Sequence, residues 1–130
     1  MKKSQLVFIV VSVLLLVGCQ QKTDSSIQVI TPEELLSEME TEESVQLIDV
    51  RTSEEFFEGH IGSAQNICIT EDDFEEKVKL LDKSKPVYVY CRTGGRSARA
   101  AKKLQEMGFS KIYDMQGGIQ LWQQKELDVE

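Results

Sequence analysis

The sequence predicts an α/β domain, a mainly parallel five-stranded sheet flanked by helices on both faces. Three observations predict it. Short β-branched and aromatic runs alternate along the chain with apolar residues at helical spacing. The segments between those runs are helical and too long for tight turns, so successive strands cannot be hairpins. One run, Val87 to Tyr90, reads as a buried strand that leads through a glycine loop into a helix.

The elements follow in order. Residues 28–30 suit a first edge strand. Thr31-Pro32-Glu33-Glu34 is a helix start, with Thr at the N-cap, Pro at N1 and Glu at N3. Leu35, Leu36 and Met39 then supply its buried face. Residues 45–50 are a second strand, and Ser53-Glu54-Glu55 opens a short helix carrying Phe56 and Phe57. Both phenylalanines, like Trp122, read as core or rim packing. Residues 64–69 form a third strand. Thr70 with Asp73 caps a helix whose Phe74, Val78 and Leu81 share one face, with the acidic run 71–76 as its solvated side. The fourth strand, Val87 to Tyr90, precedes a helix marked by Ala100, Ala101, Leu104 and Met107 and stopped at Gly108. Residues 111–115 are the fifth strand, and the last helix follows Gly117-Gly118 with Ile119, Leu121 and Trp122.

Ahead of the domain, Lys2 and Lys3 precede an apolar run over 6–17 that is too short for a comfortable membrane span. It ends Leu16-Val17-Gly18-Cys19, which resembles the bacterial lipobox. The resemblance implies a lipoprotein signal peptide over 1–18, cleavage before Cys19, a thioether-linked diacylglycerol on Cys19, and acylation of the new amine, as with palmitate. A plain secretory signal or an uncleaved anchor helix is the alternative. Residues 19–26 then serve as lipidated Cys and polar tether, and 27–130 as one domain. The expected location is the cell membrane, lipid-anchored on the extracytoplasmic side, periplasmic or cell-surface.

The chain carries a net charge of −7, and removal of Lys2 and Lys3 makes it two units more negative. That excludes nucleic acid as a partner and acidic membranes as a surface for the domain, leaving membrane contact to the lipid on Cys19. With Cys19 assigned to lipid, two of the three cysteines remain, Cys68 and Cys91. The chain has a single His and no Cys-x-x-Cys, so no metal site is expected, and no cofactor. A monomer is expected.

Cys91 sits at the carboxyl end of the fourth strand, just ahead of a helix N-terminus, the place where open α/β sheets bind ligands. Free N–H groups and the positive helix end favour thiolate over thiol. Gly94 and Gly95 let successive N–H groups turn inward as an anion nest. Arg92 and Arg96 add fixed positive charge. A structural Cys with arginines on a solvated face is the bland alternative; Cys-Arg-Thr-Gly-Gly-Arg between strand and helix favours the reactive reading.

Five pieces now match a family in order: Leu47-Ile48-Asp49-Val50-Arg51, Glu55-Phe56, Gly59-His60-Ile61-Gly62-Ser63-Ala64, Tyr90-Cys91-Arg92-Thr93-Gly94-Gly95-Arg96-Ser97, and Gly117-Gly118-Ile119 with Trp122. Over 27–122 the chain resembles the single-domain rhodanese-like sulfurtransferases. The resemblance implies a rhodanese-like α/β fold whose Cys takes a sulfane sulfur from a small anionic donor, such as thiosulfate or a persulfide. It becomes an anionic persulfide and passes the sulfur to a thiophilic acceptor, a thiol or cyanide. The N–H groups from Arg92 through Thr93, Gly94 and Gly95 to Ser97 would bind the anion, Arg96 would brace the loop, and Arg92 would face solvent and attract the donor. From Cys91 to Arg96 the loop is six residues. Related phosphatases use one residue more, so the shorter ring suits sulfur better than tetrahedral phosphate.

Asp49, Arg51 and Glu55 read as one structural network of ion pairs and hydrogen bonds. His60 reads as a hydrogen-bonded residue and not a general base, because a preformed thiolate needs none. Cys68, where family members often have Pro, is a buried inert thiol or a resolving partner for Cys91. Three function classes compete: a lipid-anchored sulfurtransferase, a sulfane-sulfur carrier that yields sulfur only to a particular partner, and a non-catalytic interaction domain. Intact Cys91 and Arg96 weigh against the third.

Overall fold

A computed structural model describes residues 26–130; Cys19, the lipobox-like segment and residues 20–25 lie outside the described residues. Five strands, β1 (Ser26–Ile30), β2 (Gln46–Asp49), β3 (Gln65–Asn66), β4 (Val87–Tyr90) and β5 (Lys111–Met115), form one sheet in the order β1-β5-β4-β2-β3. Every pairing in it is parallel. The crossovers carry α1 (Pro32–Thr41), α2 (Ser53–Glu58), α3 (Phe74–Val78) and α4 (Gly95–Glu106), and α5 (Gly118–Gln124) follows β5.

Alternation along the central strands sorts the core into two layers. Val87 and Val89 of β4 join Ile112 of β5 beneath α3 and α4, where Phe74, Val78, Ala100, Ala101 and Leu104 are buried. Tyr88 and Tyr90 turn to the other face, with Met115, Leu35 of α1, and Ile119 and Trp122 of α5. Burying each such aliphatic side chain contributes about 1.5–3 kcal/mol. The small residues Ala100 and Ala101, both 0% exposed, let α4 lie close on β4 and β5 and so fix the helix end nearest Cys91.

The helix starts follow local chemistry. The Thr31 hydroxyl accepts from Glu34 N–H at 3.2 Å while Glu34 accepts from Thr31 N–H at 2.8 Å, the reciprocal box that the sequence predicts. A second such box, Thr52 with Glu55, opens α2.

Three expectations need correction. The third strand spans two residues and not 64–69, because the chain leaves the ladder after Asn66. From there Ile67 and Ile69 each make one bond to the end of β2, to the Asp49 and Val50 carbonyls. Thr70 and Asp73 do not cap α3: Asp73 is the N-cap residue but makes no side-chain cap bond, its carboxylate lying 2.9 Å from Lys77. Phe57 is not buried; it is 83% exposed and meets Phe56 edge-on at 5.9 Å, whereas Phe56 packs partly buried against the α1–α5 layer. Among the described residues no helix is long and apolar enough to cross a membrane.

Candidate active site

Cys91 directly follows β4, and the chain turns through Arg92, Thr93 and Gly94 into α4. Gly94 takes φ +127°, a backbone conformation that side-chain-bearing residues avoid, and stands at the helix N-cap with no side chain to offer. The Cys91 sulfur fills that role. Gly94 N–H donates to Sγ at 3.1 Å, and the Thr93 and Ser97 N–H groups also act on it. In the thiol form the S–H reaches Ser97 Oγ at 3.5 Å, while the Ser97 hydroxyl donates to the Gly94 carbonyl at 3.2 Å. On ionisation the same hydroxyl can swing to donate to sulfur.

These contacts decide the thiol's acidity. Burial pushes the Cys91 pKa up, but the Ser97 hydroxyl and the N–H groups of Ser97, Gly94 and Thr93 together outweigh burial, and the net shift is downward. The residue is 1% exposed, so the sulfur forms the floor of the loop, with Arg92, Thr93 and Gly95 as its exposed rim. Among the influences that lower its pKa, oriented O–H and N–H groups lead.

Arg96 grips Glu55. Its Nη1 and Nη2 donate to the two Glu55 oxygens at 2.7 and 2.8 Å, a fork-to-fork pair that ties the first turn of α4 to α2. Glu55 also accepts from Thr52 N–H at 3.1 Å. The Arg96 bond is the largest influence that brings the Glu55 pKa down to about 2.

Within the predicted network of Asp49, Arg51 and Glu55, Glu55 takes hydrogen bonds from Arg96 and Thr52 and acts on Arg51 through charge. Asp49 and Arg51 bind each other, with Arg51 Nε 2.9 Å from Asp49 Oδ1 and Arg51 Nη2 donating to the Gly59 carbonyl at 2.7 Å. Both are buried, at 0% and 5% exposure.

The back of the loop is held by α5. Its first N–H groups, of Ile119 and Gln120, donate to the Cys91 and Arg92 carbonyls at 2.9 and 3.1 Å. The approach is so close that a Cβ on Gly118, at φ +60°, would sit 2.4 Å from the Arg92 carbonyl oxygen. Beside the loop lies an open cleft of about 420 Å³ lined by Arg92, Arg51, Glu55, Glu58 and residues of α5. Cys68 is free and buried two residues past β3, its Sγ 3.2 Å from Thr70 Oγ1. His60 stacks on Phe56 with ring centroids 3.9 Å apart, and its Nδ1 lies 3.2 Å from the Phe56 carbonyl.

Residues 31–125 match the family model of the rhodanese-like domain. The chain belongs to that family. The Bacillus subtilis protein YqhL is 42% identical to this rhodanese-like domain over 77 residues, 59% of this chain; the match spans 60% of the length of that relative. The thiosulfate sulfurtransferase GlpE of Coxiella burnetii is 34% identical over 86 residues, covering 65% of this chain and 78% of the relative. The crystal structure of a rhodanese-related protein from Thermoplasma volcanium superposes with a TM-score of 0.70 at 32% identity, covering 79% of this chain and 97% of the other.

Two parts of the domain's site escape sequence reasoning. The clamp from α5 was signalled by Gly117-Gly118, since paired glycines ahead of a helix suggest close backbone approach. Asp114 on β5 gave no signal. It is 9% exposed, its Oδ1 has no partner, and burial drives its pKa up against a partial lowering by the Ser97 hydroxyl.

Proposed function

We propose that this rhodanese-like domain is a sulfurtransferase that carries a sulfane sulfur as a persulfide on Cys91, working at the end of a lipid anchor on Cys19. The donor is a small anion, thiosulfate or a persulfide; the acceptor is a thiol or cyanide. In loading, the Cys91 thiolate attacks the outer sulfur of thiosulfate. A new S–S bond forms, the donor's S–S bond breaks, and sulfite leaves with the electron pair. In unloading, the acceptor attacks the terminal sulfur, the persulfide bond breaks, and Cys91 returns as thiolate.

The observation that carries this reading is the set of N–H and O–H donors converging on one buried sulfur. They favour a thiolate with no general base, and they are already oriented toward the anion that loading creates. The name borne by the Coxiella relative supports thiosulfate as a donor. The Cys91–Arg96 ring of six residues favours sulfur over phosphate esters, whose hydrolysis is not expected.

The test is thiosulfate-to-cyanide transfer by wild type and Cys91→Ala, with intact-protein mass after exposure to donor. Wild type should form thiocyanate and gain the mass of one sulfur, and the variant should do neither. Loading without turnover would shift the reading to a carrier with a dedicated acceptor. Failure to load at all would overturn it and leave an interaction domain.

A further inference from the structure

The cleft beside the Cys91 loop holds about 420 Å³, room for a small organic molecule and more than an inorganic sulfur anion fills. Two arginines stand on one wall. Asp49 of β2 is in register with Tyr90 of β4, and Arg51 and Arg92 each lie two residues past that pair. The Arg51 guanidinium is partly committed: Nε and Nη2 bond Asp49, and Nη2 also donates to the Gly59 carbonyl. Its Nη1 has no acceptor among the described residues. The one fully buried side-chain N or O left unpaired among them is Asp114 Oδ1, so Arg51 Nη1 is open to the cleft that Arg51 lines.

Two of the charges around the cleft are already matched: Arg51 by Asp49, and Glu55 by Arg96. What remains is one cation, Arg92, and one carboxylate, Glu58 at the end of α2. Both are exposed, and neither side chain joins an ion pair or hydrogen bond among the described residues. The amides of Gln120 and Gln123, neighbours on one face of α5, are likewise exposed and without partners among them. An anion alone would be drawn to Arg92 and repelled by Glu58; a cation alone would meet the reverse. A molecule with both charges satisfies both, its carboxylate at Arg92 and the open N–H groups of Arg51, its ammonium at Glu58. Arg92 also belongs to the exposed rim of the loop, so such an occupant lies against the loop that holds the sulfur.

We infer that this cleft seats the acceptor and selects an amino-acid or short-peptide thiol by its paired carboxylate and ammonium, with Glu58 as the residue that reads the ammonium. The inference rests on the sulfur-transfer reading. In unloading, the acceptor thiol gives its proton to solvent, and its thiolate attacks the terminal sulfur of the Cys91 persulfide. A new S–S bond forms, the bond to Cys91 breaks, and its electron pair returns to Cys91 as thiolate. The acceptor leaves as a persulfide, with no oxidant or reductant consumed.

The whole solubilised protein is loaded with thiosulfate and freed of donor, and its discharge by a series of thiols is followed by intact mass. Cysteine carries both charges, mercaptopropionate the carboxylate only, cysteamine the ammonium only, and mercaptoethanol neither. Each variant is compared with wild type on the same thiol, so differences in intrinsic thiol reactivity cancel. Glu58→Gln should lower the cysteine rate relative to mercaptopropionate about fivefold to tenfold, and Arg92→Gln should lower it relative to cysteamine by a similar factor. A second arm needs no sulfur transfer. S-methylcysteine, which has both charges and no thiol, should shift the backbone amide resonances of Glu58, Gln120 and Gln123 saturably in unloaded wild type, and more weakly in Glu58→Gln. Rate ratios within about twofold of wild type in either variant overturn the inference. So does a wild type whose resonances S-methylcysteine leaves in place. A protein that never loads fails the sulfur-transfer reading instead, and the titration still decides whether the cleft binds a molecule with both charges.

Discussion

Glu55 performs two tasks with one carboxylate. It closes the Thr52 capping box, which starts α2, and it receives the Arg96 fork, which fixes the first turn of α4 behind the Cys91 loop. Its pKa falls from the usual 4.5 to about 2, chiefly through the Arg96 bond. A carboxylate acidified by folding stabilises the native state above its unfolded pKa, and that contribution is lost as pH falls toward the folded one. The window is therefore from 4.5 down to about 2. The pair is one-quarter exposed, so solvent screens part of the effect. Melting temperature measured against pH should fall across that window in wild type, and Glu55→Gln should be less stable at neutral pH and flatter below pH 4.5. Because the freed Arg96 no longer braces the loop, Glu55→Gln should also load sulfur roughly threefold to tenfold more slowly. A variant with the wild-type acid profile would show that the pair contributes nothing to folding.

Among the elements, α5 connects fold to chemistry in a way its own sequence only half announces. Its first N–H groups satisfy the Cys91 and Arg92 carbonyls, so the loop's amides point inward to sulfur while its carbonyls point outward to a second helix end. Gly118→Ala would push a Cβ to within 2.4 Å of the Arg92 oxygen at φ +60°, leaving strain and steric conflict with backbone that cannot turn aside. The expected cost is about 1–3 kcal/mol of stability, with slower loading of Cys91. Thermal melts and intact mass after donor exposure check both; an unchanged melt and loading rate would mean the clamp is dispensable. The other elements were legible to the degree that their signals are local. The Thr31 box and the β-branched run of β4 announce themselves. The third strand was overread because apolar residues at 67 and 69 look the same whether a ladder or single bonds hold them. Cys91 and its glycines were legible for the same local reason. The Glu55–Arg96 pair spans 41 residues of sequence, so its true partnership needed the fold. Asp114 needed it too: whether a strand acid is buried depends on tertiary packing alone.

At the scale of the molecule, the strand order places the site. From β2 the chain runs outward to β3, and from β4 it runs the opposite way to β5, so the reversal falls between β2 and β4. Cys91 and Arg51 leave the carboxyl ends of those two strands, where such a reversal opens a crevice. Among the described residues, the groups that act on the sulfur lie within 31–125, so the proposed chemistry and the proposed anchoring can be tested apart. The chain's charge of −7 gives the domain no attraction to an acidic lipid surface. The proposed membrane attachment therefore rests on the proposed lipid at Cys19, each buried CH₂ contributing about 0.8 kcal/mol and two or more chains giving stable attachment. Cys19→Ala in the producing cell should abolish incorporation of labelled palmitate and leave a precursor still carrying residues 1–18. Sulfur loading on Cys91 should be unchanged in the solubilised variant. A wild-type protein that is cleaved elsewhere and takes up no lipid label would refute the anchor while leaving the chemistry at Cys91 standing.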